Sequence, residues 1–281
     1  MTLNGSSQLI ANGTAVKYIG QGGTGVVNIN GSSSVSFGNA ITNIGYQAGN
    51  GTLNLNGGSF TNTGEVRVGG SITNGTAPNG SGNFNVAGGT ATVGALTVAR
   101  GNNNQNTLNG TVTVSGGTLT STGDVILGFA GNNNTATLNI SGGTFNAGTT
   151  VTKWLHVGYW DTTKGVINIS SGNLNLNTGS SIKFNRETGT GANVSTQTGG
   201  NVTFYSDNAT TVGGAGDLDL MLKGAAGSNN TYNLNGGTLT VPKIVSTTNN
   251  GTRTFNFNGG TLKATSSQTA FMNLGTGTAR A

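Results

Sequence analysis

The sequence contains no cysteine, only two prolines and few charged residues, which make up 7% of its 281 positions. The absence of cysteine excludes disulfide bonds, cysteine-ligated zinc and thiol catalysis. Charged residues form about a quarter of an ordinary soluble domain, so uncharged polar groups must cover most of this surface. No apolar run reaches the roughly 18 residues that a transmembrane helix needs, and we therefore predict no membrane insertion.

Basic residues outnumber acidic ones by 12 to 7, which gives a net charge of +5. They are scattered singly along the chain from Lys17 to Arg280. Binding to nucleic acid needs several cations that converge on one track of phosphates. The excess of positive charge reflects a shortage of acids, and we predict no nucleic-acid partner.

Glycine is abundant, with 52 residues. So much glycine disfavours helix, because each glycine inside a helix costs about 1 kcal/mol relative to alanine. Val, Ile, Thr and Phe on a background of Gly, Asn and Ser indicate short strands separated by turns. Because the composition does not shift along the chain, we predict one domain over residues 1–281.

A short motif recurs along the chain, in which two apolar residues alternate with polar ones before a Gly-Gly step. Residues 53–60, 138–145, 232–239 and 255–262 read LNLNGGSF, LNISGGTF, YNLNGGTL and FNFNGGTL. Successive steps are 23–37 residues apart, and the longest interval separates Gly200 from Gly237. This period predicts an all-β parallel β-helix (β-solenoid) of about nine to ten coils, with three strands per coil.

The apolar residues of the motif form three columns, which one coil shows as Leu138/Ile140, Phe145 and Leu155/Val157. Alternation of period two places each pair on one strand face, and copies stacked ~4.8 Å apart build continuous apolar ladders. Asn residues between the inward pairs predict hydrogen-bonded amide ladders. The Gly-Gly step supplies the backbone angles of a tight corner.

One coil departs from this pattern. Ser195 and Gln197 occupy positions that are apolar in other coils, and residues 207–223 follow before the motif resumes. We therefore expect an irregular coil and an insertion near 192–229, where either the register slips or the rod bends.

The repeats resemble the autotransporter-associated β-strand repeats of bacterial passenger proteins, and residues 255–264, which read FNFNGGTLKA, are especially similar. The resemblance covers essentially the whole chain. It implies a right-handed parallel β-helix outside a bacterial cell or on its surface, usually within a longer protein, and it carries over no catalytic residues. Residues 1–5 enter the repeat directly, so we expect any export signal to have been removed or to lie outside this sequence.

Few residues could support catalysis. Among the seven acids only Asp217 and Asp219 lie close in sequence, and we favour a solvated strand face over a catalytic or calcium-binding pair. The calcium nonapeptide, the phosphate loop, the GxSxG elbow and the HExxH motif are absent. We predict no catalytic residue, no cofactor and no metal site.

The richest segment is Lys153–Asp161, which reads KWLHVGYWD. Leu155 and Val157 continue an inward column, so Trp154 and His156 are expected to point outward, on a third face that collects much of the charge. The candidate surface-contact residues are Trp154, His156, Tyr159, Trp160, Asp217 and Asp219. A sugar-stacking platform is one interpretation, and packing against a neighbouring molecule or loop is the favoured one. Tyr46, Phe129 and Tyr159 each follow a strand-ending glycine and predict an exposed aromatic row.

Three function classes remain open. The leading one is a non-catalytic extracellular structural or adhesive β-solenoid at a bacterial surface. The second is a carbohydrate-binding or carbohydrate-active β-helix, with a polysaccharide or cell-surface ligand. The third is an ice- or surface-binding solenoid, which needs a flat Thr-x-Thr array. Thr111/Thr113 and Thr118/Thr120 match, but Thr pairs do not persist from coil to coil.

Both ends of the sequence continue the repeat. Met1 and Leu3 occupy inward positions of the first coil, and residues 271–275 look like a further repeat strand. Uncapped coils expose strand edges and core. We therefore expect a longer parent chain or self-association end to end into fibres.

Overall fold

The structure is a computed structural model that describes residues 1–70, 80–101, 108–150, 153–267, 269–275 and 279–280. The chain winds into a parallel β-solenoid of about nine turns. The 24 strands of the described ranges join one continuous sheet, and these ranges contain no helix. Accordingly, those ranges include no helix that is long and apolar enough to cross a membrane. The prediction of an all-β solenoid is confirmed.

Each turn contributes strands to three faces, which we number in chain order. Face 1 consists of β1 (Thr2–Leu3), β4 (Thr24–Ile29), β7 (Asn50–Leu55), β9 (Ser81–Val86), β11 (Asn109–Val114) and β24 (Ala279–Arg280). Five strands of face 1 continue round the corner into face 2: β14 (Thr135–Ala147), β16 (Lys164–Leu176), β18 (Ala192–Phe204), β20 (Asn229–Val241) and β22 (Thr252–Ala264).

Face 2 also contains β2 (Gln8–Ile10), β5 (Ser34–Ser36) and β12 (Thr118–Ser121), together with β8 (Ser59–Gly70) and β10 (Thr90–Arg100), which run on into face 3. The remaining strands of face 3 are β3 (Lys17–Gln21), β6 (Thr42–Tyr46), β13 (Val125–Ala130), β15 (Trp154–Val157), β17 (Ser181–Phe184), β19 (Leu218–Asp219), β21 (Ile244–Val245) and β23 (Met272–Asn273).

The core consists of the predicted apolar ladders. Leu138 pairs with Val112 on one side and Ile167 on the other, and all three side chains are fully buried. On face 3, Val125 lies between Leu96 and Leu155 in the same way. Since each rung buries its neighbour, the core is one continuous column along the solenoid axis.

Glycine builds two of the three corners. The second glycine of each Gly-Gly step has a positive φ, as at Gly58 (66°) and Gly143 (59°), which an L-residue with a side chain rarely adopts. A second glycine column, which the sequence motif did not reveal, lies where face 3 turns into face 1. At Gly82, a Cβ atom would overlap the Ile44 carbonyl oxygen and the Gly69 amide nitrogen.

Ser195 and Gln197 keep the register of the neighbouring coils, which eliminates a slip at these positions, one of the two alternatives that the sequence left open. Gln197 still pairs with Ile169 and Leu234. Its Nε2 donates to the carbonyl oxygen of Thr238 at 3.0 Å, and its Oε1 accepts from the Tyr232 hydroxyl at 2.8 Å. The amide remains inside the core because these hydrogen bonds satisfy it.

The expected insertion is shorter than the sequence suggested. Leu218 pairs with Ile182 and with Ile244, so β19 occupies a regular rung of face 3. The extra residues form the loop that precedes this rung, where Tyr205 and Val212 make an antiparallel bridge.

Regular polar arrays cover the outer surfaces of faces 1 and 2. The predicted amide ladders are present on face 1, where Asn54 donates to Asn28 and Asn85 donates to Asn54, both at 2.8 Å. Face 2 carries two straight outward rows: Ser34, Ser59, Thr90, Thr118, Thr144, Asn173, Asn201, Thr238, Thr261; and Ser36, Thr61, Thr92, Thr120, Asn146, Asn175, Thr203, Thr240, Lys263. The Thr pairs are interrupted, as expected, and short hydroxyl and amide side chains together continue both rows.

Candidate functional site

Charge is concentrated on face 3, as the sequence predicted. Arg67, Thr97, Ile126, His156, Lys183 and Asp219 form one outward column in register. Glu65, Asp124, Trp154 and Asp217 precede the inward rungs of the same strands. The outward rows of face 2 contain no charge before Lys263, so face 3 is the chemically distinct side of the solenoid.

Glu65 is held by three neighbouring side chains. Arg67 donates from Nε and Nη2 at 2.8 and 2.7 Å, Thr97 Oγ1 donates at 2.6 Å, and Arg100 Nη1 donates at 2.9 Å. Burial alone would raise the pKa of Glu65, but these hydrogen bonds and the two guanidinium charges outweigh it and hold the pKa below its usual value. The carboxylate therefore ties neighbouring turns together.

Two adjoining cavities form an elongated depression along face 3, which we call the face-3 groove. The larger has a volume of about 500 Å³ and reaches from Glu65 to Lys153. The smaller, of about 240 Å³, is lined by Asp124, Ile126, Lys153, Trp154, His156, Tyr159 and Arg186. Asp124, Ile126 and Lys153 line both, which joins the two cavities into one groove.

Aromatic rings cluster at the smaller cavity. The His156 ring lies 5.5 Å from Trp154 and 5.3 Å from Tyr159, in edge-to-face contacts. Tyr159 also stacks on Phe129 at 5.1 Å and meets the edge of Trp160, whose side chain is 39% exposed, at 5.4 Å. Four of the six predicted contact residues, Trp154, His156, Tyr159 and Trp160, therefore lie together.

Cations cover both ends of this aromatic stack. The Arg100 guanidinium lies 4.5 Å from the centre of the Phe129 ring, and that of Arg186 lies 4.8 Å from the centre of Tyr159. Arg186 is also 5.7 Å from the Trp154 ring. Such contacts are favourable because the face of an aromatic ring is negative.

The sequence did not reveal Arg100 and Arg186. Both follow an inward pair at the same offset as Tyr159, but Ala99 and Asn185 replace the glycine that marked the other positions. These two residues nevertheless adopt positive φ values of 53° and 47°. The offset from the inward pair, without the glycine, would have found both arginines.

The predicted aromatic row is interrupted. Phe129 and Tyr159 stack, but Tyr46 is buried and its ring contacts Tyr18 at 5.1 Å instead. In the register of face 3, Gly70 and then Arg100 follow Tyr46. A residue without a side chain thus separates Tyr46 from the rest, which makes the prediction of one exposed row wrong.

His156 occupies an outward position but is only 2% exposed, because Trp154 and Tyr159 pack against it. Burial, together with the positive charges of Arg186 and Lys183, lowers the pKa of His156 to about 3. The imidazole is therefore neutral at neutral pH. In the part of the chain that the structure describes, its Nδ1 has no hydrogen-bond partner.

Asp217 and Asp219 do not form a solvated strand face, so that prediction is wrong. Asp219 is fully buried and Asp217 is 8% exposed, and the Lys183 ammonium lies 3.5 and 2.6 Å from them respectively. Asp219 also accepts hydrogen bonds from Met221 and from the amide and hydroxyl of Thr247. The next turn covers Asp219 through Thr247, and neither carboxylate lines the face-3 groove.

Within the described ranges, no group of three or more His, Asp or Glu residues is placed to hold a metal ion.

Family models, curated proteins and solved structures gave no significant match to this chain. The groove must therefore be interpreted from its own chemistry.

Proposed function

We propose that this protein is a non-catalytic structural and adhesive β-solenoid on the outside of a bacterial cell, of the autotransporter-associated repeat type. The observation that carries the proposal is that the three faces present different kinds of side chain. Buried apolar residues of the described ranges form one core. The outward side chains of faces 1 and 2 are mostly uncharged, with Lys164 and Lys263 as exceptions, and charges and aromatic rings meet in the groove on face 3. Such a scaffold presents a binding surface at a fixed distance along a rod.

The carboxyl groups in the groove favour binding over hydrolysis. Glu65 and Asp124 line the same cavity and lie two strand spacings, roughly 10 Å, apart. A separation of about 6.5–9.5 Å suits an inverting glycosidase, in which one carboxyl acts as an acid with a raised pKa. The pKa of Glu65 is lowered and its oxygens are engaged by Arg67, Thr97 and Arg100, which is the opposite of what this acid needs.

The ends of the solenoid support self-association or a longer parent chain as the partner. At one end the side chain of Met1, an inward position, is 58% exposed, and near the other end that of Phe257 is 56% exposed. A contact between unlike ends of identical copies builds an open fibre. Light scattering and electron microscopy at rising concentration test this point: rods longer than one molecule support fibres, and monodisperse single molecules contradict them.

The proposed function is tested by antibody labelling of intact cells combined with an activity screen. We expect labelling without permeabilisation and no release of reducing ends or unsaturated sugars from a polysaccharide panel. Release that is abolished by Asp124→Asn would overturn the non-catalytic function.

A specific observation favours ice or another crystalline surface as a second candidate ligand. The two polar rows of face 2 repeat at one strand spacing without a charge from Ser34 to Thr240, which fits a flat periodic partner. Inhibition of ice recrystallisation tests this candidate. Thr120→Lys on face 2 should abolish inhibition, and Thr113→Lys in the same turn of face 1 should not. Absence of inhibition by the unaltered protein would eliminate the candidate.

A further inference from the structure

The smaller cavity of the face-3 groove retains hydrogen-bonding capacity that the protein does not use. His156 lines this cavity and is 2% exposed, and its Nδ1 has no partner among the described residues. Buried polar groups are normally hydrogen-bonded, and an unpaired one is costly. A neutral imidazole offers one donor and one acceptor nitrogen. Almost none of the Nδ1 surface is open to solvent, so a ligand hydroxyl reaches this atom only when a neighbouring ring shifts aside.

The charges around the cavity favour an acidic ligand. Two cations, Lys153 and Arg186, and one carboxylate, Asp124, line it, which leaves one net positive charge. Lys153 makes no ion pair within the described ranges. Arg186 approaches Glu187 only at 3.7 Å, and its side chain is 34% exposed. Asp124 already accepts the backbone N–H of Trp154 at 2.9 Å, so the cations are the more available groups.

The aromatic rings supply the apolar part of the same cavity. Trp154 and Tyr159 are both partly exposed and both line it. Such rings combine a large apolar surface with a polar edge, which matches a sugar ring with its apolar C–H faces and polar hydroxyl rim. Arg186 lies over one face of Tyr159, and the other face stacks on Phe129. Tyr159 therefore presents its rim, and Trp154, which Arg186 also approaches, is the ring on which a sugar packs.

The length of the groove favours a chain over a single sugar. It extends over the rungs of Val66, Leu96, Val125, Leu155 and Ile182, which are consecutive strands of face 3. Four strand spacings correspond to roughly 19 Å. A polymer of several sugar units can lie along such a groove and end in the aromatic cavity.

We propose that the face-3 groove binds an acidic polysaccharide, with a uronate unit held by Lys153, Arg186, Trp154, Tyr159 and His156. This inference rests on the adhesive function proposed above and names the class of its ligand. Carboxylate groups of the glycan pair with Lys153 and Arg186, and a sugar face packs on Trp154, beside the rim of Tyr159 and the His156 ring.

Titration calorimetry of the full chain tests the inference, with a galacturonate hexamer and a neutral glucose hexamer as probes. We expect the acidic hexamer to bind, its affinity to fall as salt is raised, and the neutral hexamer to bind at least roughly tenfold more weakly. Lys153→Gln should weaken binding of the acidic hexamer by roughly tenfold. Lys164→Gln removes the same charge from face 1, where the side chain is exposed and outside the groove, and should leave affinity unchanged.

Three results would overturn the inference. The first is no binding of the acidic hexamer, or equal binding of both hexamers. The second is equal loss of affinity for Lys153→Gln and Lys164→Gln, which would indicate a general charge effect. The third is binding of a single-stranded oligonucleotide as tight as that of the acidic hexamer. A matching thermal transition for both variants shows that they are folded. Cell-surface labelling and the absence of hydrolysis are measured separately, so they can stand when this inference fails.

Discussion

At the scale of single residues, buried polar side chains on face 3 differ in the partners that surround them. His156 and Asp219 occupy the same outward column of face 3, yet the first is buried without a charge and the second is buried beside Lys183. The buried histidine is neutral, whereas the buried carboxylate of Asp219 lies beside the Lys183 ammonium and accepts hydrogen bonds from Met221 and Thr247.

The lowered pKa of His156 predicts a specific loss of stability in acid. Its pKa is about 3 when folded and about 6.5 when unfolded, so below pH 6.5 only the unfolded chain takes up the proton. The free energy of unfolding should therefore fall as pH drops from 6.5 towards 3, by up to roughly 1.4 kcal/mol per pH unit from this residue. His156→Phe keeps a ring in place and should lack this component.

Denaturant unfolding of both proteins between pH 4 and pH 8 measures the effect. Other titrating groups, such as Glu65, are common to both and cancel in the difference. The stability of the unaltered protein relative to that of the variant should be constant above pH 6.5 and fall below it. Curves that remain parallel at pH 4 would show that His156 titrates normally.

A buried hydrogen bond at Gln197 provides a second prediction. Tyr232→Phe removes the hydroxyl that donates to Gln197 Oε1 and leaves a fully buried acceptor without this partner, which should cost about 1–3 kcal/mol. Combining it with Gln197→Leu removes both polar groups and should recover part of the loss. Equilibrium unfolding of the single and double variants checks this, and strictly additive losses would contradict the proposed coupling.

At the scale of strands and corners, backbone contact makes glycine necessary. A Cβ at Gly82 would overlap backbone atoms of Ile44 and Gly69, whereas a Cβ at Gly13 would meet no atom within 4 Å. We expect Gly82→Ala to destabilise the protein by at least about 1–3 kcal/mol. Gly13→Ala should change stability by no more than about 0.5 kcal/mol. Thermal unfolding of the two variants tests this difference. Equal midpoint temperatures would mean that the corner at Gly82 accommodates a side chain.

The sequence predicted the strands and corners better than the contacts that side chains make between turns. Period-two alternation and the Gly-Gly step revealed inward columns such as Leu138/Ile140, because each coil repeats the same local requirements. The burial of Asp219 depends on Thr247, 28 residues later along the chain, and no local pattern shows this contact. Ser195 and Gln197 looked like a slipped register, because the partner of Gln197, Tyr232, lies in the next turn.

At the scale of the whole molecule, the solenoid is a one-dimensional stack in which each turn supports its neighbours. Ile140 lies between Val114 and Ile169 in the core. Ile140→Asn removes about 1.5–3 kcal/mol of apolar burial and adds an unpaired amide. Hydrogen exchange should accelerate first in β11, β14 and β16, and much less in β4. Uniform acceleration along the rod would show that the turns unfold as one unit.

The division between a scaffold and a binding face is tested most directly by one measurement on an immobilised acidic polysaccharide. The full chain is passed over the polymer, and retention of protein and release of sugar ends are recorded in the same sample. We predict that the unaltered protein and Lys164→Gln are retained, that Lys153→Gln elutes at lower salt, and that no reducing or unsaturated ends appear. Retention that does not depend on Lys153, or new chain ends that disappear with Asp124→Asn, would contradict the account.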